Sequence, residues 1–251
     1  AGHFFVPVSR RRADRLDVQE GFVSRRPEVW RWGDSLEVIR EALAGGGMLA
    51  VPTESSYALA ADPRSVEGVE SVFRFKSRSG DKPLPVVVGA LEHLAGLGID
   101  IDDPGLQILA SLWPAPLSVV LPIRQSLPAS GASGSLAVRI PDHPRLVELL
   151  TSLQSPLTAT SANTSGEAPI CDPVDLALRL VGWTALIVDD GHLPGGPPST
   201  MVALGPEGLE VLRVGRYPVA ELRRRLTELG WSSGFSAATA EKSADRHPEA
   251  R

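Results

Sequence analysis

The residues of this chain that could bind phosphates or a small polar substrate are concentrated in five short segments. They span residues 51–57, 76–82, 135–141, 160–166 and 191–202. Each segment places hydroxyl, amide or basic side chains beside Pro or Gly at the end of a predicted strand or helix. Loops of this kind line clefts while the sheet holds them rigid. Each segment alone is a weak signal, so their order and spacing carry the interpretation.

The second segment is unusual in its basic residues. The chain has 25 Lys and Arg residues, of which only three are lysines, and two of those, Lys76 and Lys82, lie in this segment with Arg78. An ammonium group is a compact charge that suits a phosphate oxygen, and a guanidinium group offers a planar fork. We predict that Lys76 and Arg78 bind phosphate; the alternative is that they are solvated charges at a helix end.

In the third segment, Arg139 interrupts the apolar run 136–140. Arginine is rarely buried without an anionic partner. Either a substrate carboxylate or an acidic residue of the protein must therefore lie beside Arg139.

Hydroxyl and amide groups dominate the remaining segments. Residues 160–166, Thr-Ser-Ala-Asn-Thr-Ser-Gly, carry more side-chain hydrogen-bonding groups than a turn requires. Ser199 and Thr200 follow a loop rich in Gly and Pro, and Thr53 follows a predicted strand. For the segment after Thr53, an ordinary turn with a helix cap is the alternative.

Common nucleotide and metal motifs are absent from the sequence. There is no G-x-x-x-x-G-K-[ST] loop, and no G-x-G-x-x-G follows a predicted strand. The triplet 45–47, Gly-Gly-Gly, ends a predicted helix and precedes a strand, which is the reverse of a phosphate loop. The single cysteine, Cys171, forms no internal disulfide, and the five histidines lack ligand spacing, so we expect no structural metal site. We expect Cys171 to be a small buried side chain.

Composition limits the class of protein. With 251 residues, 43% of them apolar, the chain is long enough for one large α/β domain. A net charge of −5 and a pI of about 5.6 argue against a protein that coats nucleic acid, although a local basic pocket remains compatible with them. No stretch has the length and apolarity of a membrane span, and we expect a cytoplasmic location.

The predicted strands and helices interleave irregularly. This order favours an α/β fold with a mixed parallel and antiparallel sheet and helices packed against it. The predicted helices cover 35–44, which we expect Asp34 to cap, and 65–75, 104–112, 144–150, 173–180 and 219–229. The predicted strands cover 48–51, 84–88, 119–123, 136–140, 157–160, 185–189, 201–204 and 209–214.

The chain divides into three predicted regions. Residues 1–32 form an N-terminal extension that packs on the domain or is partly disordered, with Trp30 and Trp32 as its anchor. Residues 33–230 form the main domain, which the family resemblance described next implies is catalytic. Residues 231–251, rich in Ser, Ala and charge, form a disordered tail.

Taken in order, the segments resemble the signature blocks of the YrdC family, from about Gly46 to Gly215. The family's fold is a twisted α/β sheet with a large concave active-site cleft. Its members that act as L-threonylcarbamoyladenylate synthases combine L-threonine, bicarbonate and ATP. The matching blocks are Pro-Thr-Glu-Ser-Ser-Tyr, Lys-Ser-Arg, Lys-Pro-Leu, Trp-Pro-Ala-Pro-Leu-Ser, Ala-Val-Arg-Ile-Pro, Ser-Ala-Asn-Thr-Ser-Gly, Pro-Ser-Thr-Met-Val and Leu-Arg-Val-Gly.

The resemblance implies a role for each matching position. Lys76 and Arg78 would be the catalytic residues and lie along the triphosphate. Thr53, Arg139 and Ser199 would bind L-threonine. The residues that would frame the nucleotide are Ser135, Ser161, Asn163 and Arg213.

It also implies a reaction and its partners. The threonine amine would capture CO₂ or bicarbonate, and the carbamate would attack the α-phosphorus of ATP and release pyrophosphate. Mg²⁺ would arrive with ATP, held mostly by phosphate oxygens. The product would pass to a tRNA threonylcarbamoyl-transferase complex for the N6-threonylcarbamoyladenosine modification of tRNA. The chain would be of the short, single-domain type.

Some positions depart from the commonest family pattern. Ser55 and Ser118 replace threonine, Ala58 and Ala115 replace glycine, and Glu167 stands where some relatives have a basic residue. An alanine in place of glycine matters only where the backbone needs positive φ or a close approach. Glu167 could weaken phosphate binding.

Two other functions fit the same blocks. One is a paralogue of this fold that binds RNA or the ribosome without this activity, against which the acidic charge and the 5% aromatic content count. In a synthase, RNA contact would be weak. The other is a carbamoyl-adenylate former that uses carbamoyl phosphate, as in hydrogenase-maturation proteins, which usually carry zinc motifs that this sequence lacks.

Overall fold

Two mixed β-sheets position these segments. The structure, a computed structural model, describes residues 26–77, 82–164 and 166–237. The strands are β1 (Glu28–Arg31), β2 (Met48–Pro52), β3 (Tyr57–Ala60), β4 (Val86–Val87), β5 (Leu117–Pro122), β6 (Ser135–Arg139), β7 (Leu157–Thr158), β8 (Thr160–Ser161), β9 (Ala185–Asp189), β10 (Thr200–Gly205), β11 (Gly208–Arg213) and β12 (Gly234–Ala237). The α-helices are α1 (Leu36–Ala44), α2 (Val66–Phe75), α3 (Pro104–Ala110), α4 (Pro144–Leu153), α5 (Pro173–Arg179) and α6 (Val219–Glu228), and 3₁₀ helices cover Leu91–Leu97 and Pro128–Ser130.

The strand pairing confirms the predicted mixed α/β fold. The first sheet has the order β1-β9-β2-β3-β8, and the second has the order β12-β11-β10-β5-β6-β4-β7. Each sheet combines parallel pairs, such as β2–β9 and β5–β10, with antiparallel pairs, such as β2–β3 and β5–β6. The strands are thus divided between two sheets of five and seven strands.

The chain passes from one sheet to the other at Ala159. The run 157–160, predicted as one strand, is divided into β7, which pairs with β4 in the second sheet, and β8, which pairs with β3 in the first. This crossing brings the sheets together beside the polar segment 160–166.

Strand β3 was not predicted from the sequence. For the segment after Thr53, the alternatives from the sequence were a binding loop and an ordinary turn with a helix cap. All four of its residues are buried, and it pairs with both β2 and β8. Its sequence, Tyr-Ala-Leu-Ala, lacks the alternation of a half-buried strand because both of its faces are covered.

The start of α1 was also wrongly predicted. Ser35, and not Asp34, caps the helix, because its side chain accepts a hydrogen bond from the N–H of Glu37 at 3.3 Å. The Asp34 carboxylate instead accepts one from the N–H of Arg31 at 2.8 Å. The glycine triplet ends the helix as predicted, since a Cβ on Gly47 would lie 2.6 Å from the carbonyl oxygen of Ala42.

Residues of both the predicted N-terminal extension and the predicted C-terminal tail form strands of the two sheets. Within the predicted extension, β1 pairs with β9, and the rings of Trp30 and Trp32 form an edge-to-face pair 5.3 Å apart. The indole of Trp32 also donates to Asp190 at 2.7 Å, so both tryptophans contact the first sheet and its surroundings. The predicted disordered tail begins too early, because residues 234–237 form β12 against β11. Residues 1–25 and 238–251 lie outside the described residues.

Candidate functional site

A polar cavity of about 330 Å³ lies where strands of both sheets end. The first sheet contributes the turn between β2 and β3 together with β8, and the second contributes β5, the ends of β6 and β11, and the residue before β10. Its hydroxyl side chains belong to Thr53, Ser55, Ser56, Ser118, Thr160, Ser161 and Ser199. Its ionisable side chains belong to Arg139, Glu167 and Arg213. The cavity therefore combines many neutral hydrogen-bonding groups with two guanidinium groups.

Thr53 organises the turn after β2. Its hydroxyl donates to the carbonyl oxygen of Ser56 at 2.7 Å and accepts from the N–H groups of Ser55 and Ser56, both at 3.3 Å. This local bonding explains why the sequence has a hydroxyl directly after a buried strand. The turn fixes three hydroxyl residues at the cavity wall.

Arg139, the last residue of β6, is buried against an acidic partner. Its Nη1 lies 2.6 Å from Oε1 of Glu54. Of the two partners that the sequence left open, the structure supplies an acidic residue of the protein. The guanidinium still lines the cavity. Among the described residues Glu54 is its one hydrogen-bond partner, so the other N–H donors of its planar fork are available to a ligand.

Arg213, the last residue of β11, is held by Ser199. Its Nη2 donates to the carbonyl oxygen of Ser199 at 2.9 Å and to the Ser199 hydroxyl at 3.3 Å. The Ser199 hydroxyl lies 2.9 Å from that of Ser118 on β5. The absence of a side chain at Gly215 lets the backbone after β11 pass close to the backbone before β10, because a Cβ there would lie 2.2 Å from the carbonyl oxygen of Pro198. The hydroxyl of Thr200 is used by the fold, since it donates to the carbonyl of Tyr217 at 2.6 Å.

The electrostatics of the cavity favour an anion. Burial lowers the pKa of Arg213, and the positive charge of Arg139 lowers it further. Within residues 26–77, 82–164 and 166–237, Arg213 makes no ion pair with a carboxylate. A bound anion would offset both the desolvation of the Arg213 charge and its repulsion by the charge of Arg139.

Lys76 fixes the neighbouring wall. It is 4% exposed, and its ammonium donates to the carbonyl oxygens of Ser161 at 2.7 Å and of Asn163 at 2.9 Å. The side-chain amide of Asn163 donates in turn to the carbonyls of Thr164 at 2.9 Å and Glu167 at 2.7 Å. The predicted residues Lys76, Ser161 and Asn163 are thus brought together, with Lys76 attached to the segment that lines the cavity.

Glu167 is paired with a residue outside the cavity. Its carboxylate forms an ion pair with Arg179 of α5, which lowers the pKa of Glu167. Arg179 thereby offsets the negative charge that Glu167 brings to the cavity wall.

The structure does not bring every predicted residue to the cavity. Ser135 does not line it, because it starts β6 and Arg139 ends it, which separates them by roughly 13 Å along an extended strand. Arg78 lies outside the described residues. Cys171 is half-buried rather than buried, with its sulfur 3.7 Å from the carbonyl oxygen of Ser55.

Other site residues received no role in the sequence. Ser118 and Glu54 belong to quoted blocks, but nothing in their spacing showed that they would lie against Ser199 and Arg139. The two alanines that replace glycine need no special backbone, since the only non-glycine residues with positive φ in the described part of the chain are Ser77 and Gln154.

Comparison with known proteins identifies the family. A family model for Sua5, YciO and YrdC proteins, described as "Telomere recombination", matches residues 41–215. This is close to the span of the resemblance seen in the sequence. The chain belongs to this family.

Two similar proteins are named as threonylcarbamoyl-AMP synthases, one of them as putative. The chain is 30% identical to the threonylcarbamoyl-AMP synthase of Pyrococcus abyssi over 209 residues, which are 82% of this chain and 60% of that protein. It is 31% identical to a putative threonylcarbamoyl-AMP synthase of Mycobacterium tuberculosis (strain H37Rv), over 69% of this chain and 81% of that protein. It thus spans about 60% of the length of the first relative.

The fold is likewise shared with a solved structure. The crystal structure of P. abyssi Sua5 complexed with L-threonine aligns with a TM-score of 0.70 at 29% identity, over 80% of this chain and 61% of that one.

None of the helices in the described ranges has the length and apolar character to cross a membrane.

Proposed function

We propose that this chain is an L-threonylcarbamoyladenylate synthase, a nucleotidyltransferase that forms threonylcarbamoyl-AMP and pyrophosphate from L-threonine, bicarbonate or CO₂, and ATP. The observation that carries the proposal is that Arg139 and Arg213 share one hydroxyl-lined cavity. The names of the relatives and the L-threonine complex of P. abyssi Sua5 support the same reaction.

The cavity suits both ends of this chemistry. A carboxylate matches the fork of Arg139, and phosphate oxygens match the charge of Arg213, which has only neutral partners at Ser199. The hydroxyls of Thr53, Ser118 and Ser199 are fixed by hydrogen bonds before any ligand arrives. Preorganised donors of this kind stabilise charge that develops in a transition state.

Catalysis would rest on positioning. The threonine nitrogen attacks the carbon of CO₂ to give a carbamate, with loss of a proton, and a carbamate oxygen then attacks the α-phosphorus as pyrophosphate leaves. Both steps join bound reactants, so holding them in line supplies much of the acceleration. Lys76 holds the Ser161–Asn163 segment, and we propose that Lys76 and Arg78 also lie along the triphosphate.

We propose that Mg²⁺ enters with ATP. In the described residues no three His, Cys, Asp or Glu side chains cluster as a metal site. The donor set therefore fits an ion held mostly by phosphate oxygens, whose charge it would neutralise. We further propose that the protein works in the cytoplasm and passes its product to a tRNA threonylcarbamoyl-transferase complex.

The first test is pyrophosphate release from ATP and Mg²⁺ by the purified chain. We expect release only when L-threonine and bicarbonate are both present. Arg139→Ala should lower kcat/KM for threonine about a thousandfold, since it removes a charged hydrogen-bonding partner of the carboxylate.

Arg124→Ala is the matched control. Arg124 is exposed and pairs with Asp100 at 2.9 Å, away from the polar cavity, so its loss should leave the rate unchanged. Absence of threonine-dependent release in the unaltered chain would overturn the proposal. Salt-sensitive RNA affinity without turnover would then favour the RNA-binding paralogue.

A further inference from the structure

Glu54 is a buried charged residue with an unsatisfied atom. The residue is 8% exposed, and its Oε1 lies 2.6 Å from Nη1 of Arg139. Its other oxygen, Oε2, is buried and has no hydrogen-bond partner among the described residues. Leaving a buried acceptor unpaired costs stability, and such a group in a native structure calls for an explanation.

Stability alone does not explain the pair. A buried ion pair is often no more stable than apolar residues of the same volume, because both charges lose their hydration. Glu54 and Arg139 also come from different sheets, one from the turn after β2 and the other from the end of β6. The contact therefore links the two sheets beside the cavity, which Arg139 lines.

The contact with Glu54 orients the guanidinium of Arg139 and partly offsets its positive charge. One Nη1 donor is taken by Glu54, which orients the planar fork and leaves its other donors for a ligand. The carboxylate also offsets one of the two positive charges at the cavity, those of Arg139 and Arg213. Glu54 itself is not among the residues that line the cavity, so it acts through Arg139.

We propose that Glu54 is a positioning residue with two separable effects: its reach orients Arg139 for the substrate carboxylate, and its charge limits how tightly the cavity holds polyphosphate. The first effect rests on the proposed function, and the second requires only that the cavity binds an anion. Limiting polyphosphate affinity would matter because pyrophosphate must leave after each turnover.

Two substitutions separate the effects. Glu54→Asp keeps the charge but shortens the side chain, so the KM for L-threonine should rise about tenfold, while the Kd for pyrophosphate stays within twofold of the unaltered protein. Glu54→Gln keeps the length and an accepting oxygen but loses the charge. Its threonine KM should rise only about threefold, and its Kd for pyrophosphate should fall about fivefold.

The measurements are threonine-dependent pyrophosphate release for KM and calorimetric titration with pyrophosphate for Kd. Glu148→Gln, an exposed glutamate on α4, is the matched control and should change neither quantity. A merely structural role would lower the fraction of folded protein and the apparent kcat in both Glu54 variants while leaving KM and Kd unchanged.

That structural outcome would overturn the inference, as would equal changes of Kd in E54D and E54Q. If the unaltered chain showed no threonine-dependent turnover, the proposed function and the orienting effect would both fall. The pyrophosphate titration of E54Q against E54D would still decide the charge effect.

Discussion

The polar cavity can be compared with a second one at the opposite ends of β5 and β10. Ser118 and Ser199 mark the polar cavity, whereas Leu121 and Leu204 line the other. The second cavity is larger, about 500 Å³, and apolar residues dominate its wall. On size and apolar lining alone, it would be the more obvious ligand site.

The state of the charged groups separates the two cavities. In the apolar cavity, Asp103 caps α3 by accepting from the N–H of Leu106 at 2.9 Å, and Asp100 pairs with Arg124. Both acids therefore have ordinary structural roles. In the polar cavity, Arg213 has only neutral partners at Ser199. Glu54, which pairs with Arg139 but does not line the cavity, has a buried oxygen without a hydrogen-bond partner among the described residues. Unbalanced charge, rather than volume, is therefore what favours the polar cavity as the proposed site.

Arg213→Met gives the sharpest test of this contrast. It removes the buried charge that has no acidic partner, so kcat/KM for ATP should fall by two to three orders of magnitude. Arg124→Met at the apolar cavity should leave it within twofold. Steady-state pyrophosphate release measures both, and equal losses in the two variants would break the comparison.

Leu121→Ala tests the apolar cavity in the opposite sense. Leu121 is buried, and truncating a buried leucine should lower the free energy of unfolding by about 3 kcal/mol. Denaturant titration gives this value, and kcat/KM should remain within twofold when corrected for folded protein. A large loss of kcat/KM would mean that the apolar cavity takes part in the reaction.

The buried phenol of Tyr57 predicts that the protein loses stability at alkaline pH. Burial raises the pKa of its phenol from 10.0 to about 12. Because the folded pKa lies above the unfolded one, the stabilisation is complete below pH 10 and is lost as the pH rises toward 12. Over that range the unaltered protein should lose about 2 kcal/mol more than Tyr57→Phe.

Denaturant titrations of both proteins at several pH values measure this difference. Tyr57→Phe also loses the hydrogen bond to the carbonyl of Gly191, but that cost does not depend on pH below 10. Parallel curves for the two proteins up to pH 12 would contradict the assignment.

Ser118→Ala should have the smallest effect. It removes the hydrogen bond to Ser199 while Arg213 continues to hold Ser199. The free energy of unfolding should fall by about 1 kcal/mol, and kcat/KM should fall three- to fivefold. Ser118→Thr keeps the hydroxyl and should restore both values; losses in Ser118→Thr as large as those in Ser118→Ala would contradict the role of the hydroxyl.

Several features could be read from local sequence because their causes are local. The end of α1 at the glycine triplet depends on a close approach within four to five residues, and the start of α2 depends on the capping hydroxyl of Ser65. The family blocks predicted which segments carry polar groups, and six of the predicted site residues line the cavity: Thr53, Arg139, Ser161, Asn163, Ser199 and Arg213. Their individual roles stay predictions.

Other features depend on contacts between distant segments. Ser135 belongs to the same polar segment as Arg139, but the extended geometry of β6 takes it away from Arg139. The partner of Arg139 lies 85 residues away in sequence, and that of Ser199 lies 81 residues away. The periodicity of the sequence does not predict contacts between such distant residues, because these contacts depend on how the two sheets meet.

The sequence by itself determined the family, the mixed α/β class and the types of side chain available for chemistry, since these follow from local patterns and residue identity. Only the tertiary structure decided which charges are balanced. Pairing Glu54 with Arg139 and leaving Arg213 with neutral partners requires the turn after β2, the end of β6 and the end of β11 to meet. That meeting depends on long-range strand pairing within each sheet and on how the two sheets pack together.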